Sequence, residues 1–118
     1  MAKLEQTITG DFDTLIKIIE DGIVAGSTSA SLEDHSDFVE GNTRCSVRVF
    51  ERYSAVGGNR VSMNVTLFQD GDKPVHLSAI TSGGSQAIWY KINTLGENAF
   101  LKCIVQLMQE YESAQKDK

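Results

Sequence analysis

The sequence predicts an α+β fold: a single antiparallel sheet with two helices packed on one face, in the order β-α-β-β-β-β-α. Residues 60–68 and 72–81 alternate in polarity around a turn at residues 69–71, which predicts a β-hairpin. Apolar residues recur at helical spacing near each end of the chain and predict the two helices. With 118 residues, 41% of them apolar, the chain is expected to form one domain over residues 1–118.

The N-terminal third is predicted to contain a strand, a helix and a second strand. Residues 3–9 alternate in polarity and are short, as a first strand requires. Asp11 is the expected N-cap of a helix that ends near Gly26. The apolar face of this helix consists of Phe12, Leu15, Ile16, Ile19 and Ile23. Residues 30–39 carry many acidic side chains, which predicts an edge strand because charges at a sheet edge prevent unwanted pairing.

The middle of the chain predicts three strands with their odd-numbered residues facing inward. In residues 43–54, Cys45, Val47, Val49 and Tyr53 share one face, and Arg44, Ser46, Arg48, Phe50 and Arg52 share the other. We therefore expect the apolar odd face to be buried and the partly basic even face to be exposed. In the hairpin that follows, a left-handed Gly71 would place Val65 opposite Val75 and Met63 opposite Leu77.

The C-terminal segment predicts a long amphipathic helix. Residues 94–97 have the Thr-x-x-Glu spacing of a capping box. The apolar stripe that follows consists of Phe100, Leu101, Ile104, Leu107, Met108 and Tyr111. Residues 86–93 fit a helix or a strand, and we expect a break before Gly96, since glycine costs a helix about 1 kcal/mol relative to alanine. Residues 113–118 are expected to fray.

Composition narrows the classes of function. The net charge of −5 argues against non-specific nucleic-acid binding, which depends on neutralising phosphates. The first residues do not resemble a secretory signal, and no apolar run reaches about 18 residues, so a cytoplasmic protein without a membrane span is expected. Cys45 and Cys103 lack redox or zinc spacing and are expected to be free, buried thiols.

A small-molecule site is the first functional hypothesis. In a fold of this shape, a groove between the final helix and the sheet would hold a small, partly apolar or anionic ligand without catalysis. Its expected lining residues are Glu51, Tyr53, Gly83, Gly84, Trp89 and Tyr90. The glycines at residues 83–84 can also be a plain connecting loop, since they match no phosphate-binding motif.

The alternative hypothesis is a homodimerising or partner-binding domain that uses the exposed face of the sheet. The residues expected at this contact, or at an anion site on the same face, are Arg44, Arg48, Phe50, Arg52, Phe68 and Ile80. The arginines can equally be a solvated face paired with nearby acids. A homo-oligomer is therefore among the expected outcomes, and a membrane or nucleic-acid partner is not.

Catalytic and metal-binding groups are not expected. The two histidines, His35 and His76, have no nucleophile that the predicted faces bring beside them. Glu33, His35 and Asp37 would lie in a line along a strand rather than converge on an ion. We therefore expect no metal, no cofactor and no enzymatic activity.

The run of residues 83–100, GGSQAIWYKINTLGENAF, is similar to a family of small bacterial proteins known only as a domain of unknown function. The likeness extends over nearly the whole chain. It implies a stand-alone, intracellular domain and carries no activity. The element order, a meander closed by a long helix, also resembles the helix-grip and TATA-binding-protein-like topologies.

Overall fold

The structure, a computed structural model, describes residues 1–53, 60–83 and 90–116, with backbone only for residues 90–97. Its elements follow the predicted β-α-β-β-β-β-α order. They are β1 (Ala2–Ile8), α1 (Phe12–Ala25), β2 (Ser31–Glu40), β3 (Thr43–Tyr53), β4 (Arg60–Asp70), β5 (Val75–Gly83) and α2 (Tyr90–Lys116). The α+β prediction is confirmed.

The five strands form one antiparallel sheet in the order β1-β5-β4-β3-β2. The first strand therefore pairs with the last, and β2 lies at an edge as its acidic sequence predicts. α2 packs over β5, β1 and β4, and α1 lies beside α2 against β4 and β2. Both helices cover the same face of the sheet, and the opposite face has no helix on it in the described part of the chain.

The odd-numbered residues of β4 and β5 face the helices, as predicted. Val61, Met63, Val65 and Leu67 of β4 are buried, and so are Val75, Leu77, Ala79 and Thr81 of β5. Four side chains from α2 complete this cluster: Phe100, Ile104, Met108 and Tyr111. Burial of these large apolar groups is the main force that holds the sheet and helices together.

The inward face of β3 is the opposite of the predicted one. Phe50 is fully buried and pairs with Met63, while Cys45, Val47 and Val49 point to the uncovered side of the sheet. Tyr53 pairs with Arg60 across β3 and β4, so residues of opposite parity share a face between these strands. The prediction carried one parity through all three strands, and it is wrong for β3.

All three arginines of β3 consequently face the helices and not the solvent. Arg44 lies over the Phe12 ring, with 4.3 Å from its Cζ to the ring centroid, and pairs with Asp13 of α1. Arg52 lies over the Phe100 ring at 4.7 Å. Stacking on an aromatic face lets a guanidinium approach a hydrophobic core while its nitrogens stay polar. The expected placement of these arginines on the exposed sheet face is therefore wrong.

The register of the β4–β5 hairpin also differs from the prediction. Val65 pairs with Ala79 and Leu67 with Leu77, so the strand faces are right but the partners are not. Gly71 has the expected positive φ of 61°, and the Lys73 amide donates to the Asp70 carbonyl at 3.2 Å. Pro74 has no amide hydrogen to give to a strand ladder, so β5 begins after it and the turn is longer than predicted.

α1 has the predicted cap and the predicted buried face. The Asp11 carboxylate accepts from the Thr14 amide at 3.0 Å, which satisfies one of the free N–H groups of the first turn. Phe12, Leu15, Ile19 and Ile23 are buried. On the side of α1 toward α2, Gly22 leaves space for Leu107, whose Cδ2 would lie only 2.4 Å from an added Cβ. The small residue thus lets the two helices approach closely.

α2 begins earlier and ends later than the sequence suggests. It starts at Tyr90 and passes through Gly96 without the expected break, so residues 90–93 are helical and the predicted capping box at residues 94–97 lies inside the helix. Residues 113–116, expected to fray, are helical too. A helix that packs its apolar stripe on a sheet can tolerate the roughly 1 kcal/mol cost of one glycine.

Candidate functional site

The uncovered face of the sheet is formed by alternate residues of all five strands. The strand register sorts them into rows that run across the sheet. One row consists of Phe38, Cys45, Phe68, His76 and Thr7, from β2 through to β1. The next consists of Ser36, Val47, Thr66, Ser78 and Glu5, and the third of Asp34, Val49, Asn64, Ile80 and Lys3. The middle residue of each row belongs to β4, the central strand of the sheet.

This face is more apolar than a solvated sheet surface usually is. Phe38 is 61% exposed, Phe68 41% and Ile80 39%. Val47 and Val49 on β3, both half-buried, lie next to Phe38 and Phe68, and Asn64 and Thr66 separate these valines from Ile80. An antiparallel sheet that faces water on one side normally alternates apolar and polar residues cleanly, so contiguous apolar side chains on its outer face point to a contact surface.

Two pairs of polar side chains on the uncovered face are hydrogen-bonded to each other. The Ser62 and Ser82 hydroxyls lie 2.9 Å apart, and Thr66 donates to Asn64 Oδ1 at 3.1 Å. Burial of a polar group costs free energy mainly when it loses its hydrogen bonds without replacement. Because these two bonds stay within the chain, a partner that covers them does not have to replace them.

A shallow depression lies on the same face over β5, between β1 and β4. Its rim includes Thr7, Thr66, Phe68 and His76. The Phe68 and His76 rings lie next to each other, with centroids 6.1 Å apart and planes tilted by 36°. On the same face but at the opposite edge of the sheet, Phe38 of β2 projects with most of its surface exposed.

The helix-covered face holds the one strongly buried charged cluster among the described residues. The side chain of Arg48 is only 8% exposed, and its Nε donates to Glu20 Oε1 of α1 at 2.6 Å. Its Nη1 donates to Asp37 Oδ1 of β2 at 3.0 Å and to the Val47 carbonyl at 3.0 Å. Arg48 thereby joins α1, β2 and β3, which is a structural role and not a surface for a partner.

Asp37 is held in its charged form by this cluster. The Ser46 hydroxyl donates to Asp37 Oδ1 at 2.6 Å, and this hydrogen bond together with those from Arg48 lowers the pKa of the Asp37 carboxyl. The cause of this lowered pKa reaches across strands, since Ser46 and Arg48 lie on β3 and Asp37 on β2. Ionised Asp37 therefore stabilises the edge of the sheet.

Replacement of Asp37 by asparagine should make folding less sensitive to acid. The folded pKa lies below the unfolded value of about 3.9, so the contribution of Asp37 is present above that value and is lost as pH falls through the folded pKa. We expect the difference in unfolding free energy between wild type and Asp37→Asn to shrink as pH falls below about 4. Urea titrations at a series of pH values measure it, with Asp72→Asn, in the exposed β4–β5 turn, as the control.

The structure separates the residues predicted to line a ligand groove. Glu51 lies on the uncovered face with its Oε1 2.7 Å from Arg60 Nη2, and Arg60 lies over the Tyr53 ring at 5.4 Å. Both Glu51 and Tyr53 therefore point away from α2, where the groove was expected. Gly83 ends β5. Gly84, Trp89 and the Tyr90 side chain lie outside the described residues.

Of the six residues predicted for an interface, the structure keeps two on the exposed face. Phe68 and Ile80 lie there as expected, but Phe50 is in the core and the three arginines face the helices. Sequence analysis missed Phe38, Val47 and Val49. Of these three residues, Phe38 could have been predicted from the sequence. Acidic side chains alone protect an edge strand from unwanted pairing, so an aromatic residue among them indicates a different role.

Other chemistry finds little support in the described part of the chain. Cys45 and Cys103 are free, as predicted, but half-buried instead of buried. Among the described residues no three histidine, cysteine or acidic side chains converge as metal ligands. Neither α1 nor α2, over the residues described, has an apolar stretch long enough to cross a bilayer.

Comparison with known proteins places the chain in a family without an assigned activity. Residues 1–112 match the model of a family of unknown function, DUF6054, and the chain belongs to this family. No curated protein and no solved structure matches the chain. The family match carries neither an organism nor a fold name, so the bacterial origin and the helix-grip likeness stay predictions.

Proposed function

We propose that this domain self-associates, with two copies packed through the uncovered faces of their sheets. The observation that carries the proposal is the apolar surface on a face that no described helix covers. Its contiguous part consists of Phe38, Cys45, Val47, Val49 and Phe68, and Ile80 lies beyond Asn64 in the same row as Val49. Two sheets packed face to face, about 10 Å apart, are a common way to bury such a surface.

The size of the uncovered face suits a stable dimer. Strands about 4.8 Å apart and eight residues long, at about 3.3 Å per residue, make a face of roughly 600 Å² in outline for five strands. Protruding side chains raise the accessible area further, toward the value of about 800 Å² per partner found in stable interfaces. The Ser62–Ser82 and Thr66–Asn64 hydrogen bonds within the chain lower the cost of desolvating these four side chains.

A small-molecule site between α2 and the sheet, the first hypothesis from the sequence, has less support. The side chains that would line such a site from the sheet and from α2 are all buried in one cluster: Met63, Leu77, Phe100 and Met108. Side chains in mutual contact leave no room for a ligand at that depth. A cytoplasmic location is part of the proposal and is supported by the two free thiols, which are common in reducing compartments.

Replacement of Phe68 by lysine tests the proposed function. We expect the wild type to be a dimer in light scattering and Phe68→Lys to be a monomer, because the lysine places a charge at the centre of the apolar contact. Val24→Lys, which changes an exposed valine on α1, is the matched control and should stay dimeric. A monomeric wild type, or a Phe68→Lys variant that dimerises as tightly as wild type, would overturn the proposal.

A further inference from the structure

The uncovered face has a projection on one side of its central strand and a depression on the other side. Phe38 projects from β2, two strands to one side of β4. The depression lies over β5 on the other side, and Thr7 of β1 forms its outer rim. Phe38 and Thr7 belong to the same row across the sheet. A rotation by 180° about an axis parallel to β4, between the two copies, therefore places Phe38 of one copy above Thr7, at the outer rim of the other copy's depression.

We infer that the dimer of the proposed function has its two-fold axis along β4. Such an axis keeps every row in place and exchanges its two ends, so β1 of one copy lies on β2 of the other. Phe38 then enters the depression beside Thr7 of the second copy, and Phe68 meets Phe68 of the second copy at the centre. The inference rests on the proposed function and specifies the geometry of the same surface.

The charges on the outer strands agree with this axis. In the third row Asp34 is at the β2 end and Lys3, which pairs with Glu5 at 2.9 Å, is at the β1 end. The exchange of ends brings Lys3 of each copy to Asp34 of the other, so the lysine has a carboxylate on each side. In the same row Ile80 meets Val49. Glu5 meets the neutral Ser36 in the next row. The axis thus forms two opposite-charge contacts for each dimer and leaves the outer strands without a like-charge contact in these three rows.

An axis across the strands would be less favourable. It would place β2 of one copy on β2 of the other, and the uncovered side of this strand carries Asp34 and Glu40 with no basic residue. Like charges brought together at an interface oppose association. Phe38 would also meet the same edge strand and not the depression.

Two charged residues meet their own copies along the axis, and each is already neutralised within its chain. Arg60, near one end of β4, pairs with Glu51 at 2.7 Å. Asp70, at the other end, accepts from Lys73 Nζ at 3.3 Å and from the Thr43 hydroxyl at 3.1 Å. Both lie at the rim of the contact, where exposed ion pairs have small effects on affinity.

Charge reversal at Lys3 and Asp34 tests the axis. Lys3→Glu alone and Asp34→Lys alone each put like charges at both contacts, and we expect the dimer dissociation constant to rise about tenfold. An equimolar mixture of the two variants forms a heterodimer in which both contacts again join opposite charges, so its dissociation constant should return to within about threefold of wild type. Native mass spectrometry distinguishes heterodimer from homodimers, and Lys17→Glu, on exposed α1, is the charge control.

A second pair of variants tests the projection. Phe38→Ala should weaken the dimer about tenfold, while Val39→Ala, at the neighbouring and equally exposed residue on the other face of β2, should not. If Phe38→Ala and Val39→Ala weaken the dimer equally, the two copies pair through the edge of β2 and the inference is overturned. If Phe68→Lys dissociates the dimer but the charge-reversed variants do not recover in the mixture, the axis is wrong and the proposed function stands. A monomeric wild type overturns both the proposed function and the inferred axis.

Discussion

Replacement of Phe50 by alanine is expected to lower the free energy of unfolding by about 4 kcal/mol. The ring is fully buried on the helix side of β3, opposite Met63 of β4, and its loss leaves a cavity that neighbouring side chains fill only in part. A loss of this size is a large fraction of the stability of a small domain, which is typically about 5–15 kcal/mol. Urea unfolding followed by circular dichroism measures it.

The matched control for Phe50 is the next residue toward the N-terminus, on the opposite face of the same strand. Val49 is half-buried on the uncovered face, and Val49→Ala should cost about 1 kcal/mol or less in the monomer. If Val49→Ala destabilises the domain more than Phe50→Ala does, β3 has the opposite orientation and the uncovered face is not the one described above.

Removal of both carboxylates around Arg48 is expected to cause the second large loss of stability. In the double variant Glu20→Gln/Asp37→Asn, the guanidinium stays buried without an opposite charge, and we expect a loss of about 3 kcal/mol in unfolding free energy. Each single variant leaves Arg48 one carboxylate and should cost about 1 kcal/mol. The single effects should therefore add up to less than the effect of the double variant.

The control for this cluster is the same pair of changes made in the Arg48→Met variant. Without the buried charge, the same Glu20→Gln/Asp37→Asn changes should cost less than about 1 kcal/mol, since neither carboxylate then compensates a buried cation. Thermal or urea unfolding of the four combinations gives the coupling free energy. If the double variant costs the same with arginine or methionine at residue 48, Arg48 does not depend on these carboxylates.

The sequence predicted well those elements whose pattern and local chemistry agree. The N-cap at Asp11, the buried face of α1 and the inward residues of β4 and β5 are all as expected. In each case the periodicity of the apolar residues and the adjacent turn or cap residues point to the same structure. The edge position of β2 followed from its acidic side chains in the same way.

Predictions that depended on distant contacts were wrong. The faces of β3 depend on its register with β4, and both faces of this strand contain residues that could be buried or exposed. A buried Arg48 is acceptable only because Glu20 and Asp37 reach it from α1 and β2, and no local pattern shows such partners. Likewise Gly96 lies within α2 because the helix gains from packing along its length, a tertiary effect that outweighs propensity.

The candidate site was predicted only in part for the same reason. Phe68 and Ile80 belong to strands whose faces were assigned correctly, so their exposure was expected. Val47 and Val49 belong to β3, and its reversed orientation moved them from the expected core to the uncovered face. The apolar surface could be recognised as a whole once the register of β3 was known.

The pairing of β1 with β5 has a consequence for how the molecule assembles. Leu4 lies opposite Ala79, so most of the chain separates two residues that sit side by side. The hairpins from β2 to β5 can form from local contacts, whereas β1 has no place until β5 has been synthesised. Closure of that long loop costs entropy before any contact repays it, which makes docking of the N-terminal strand a late step in folding.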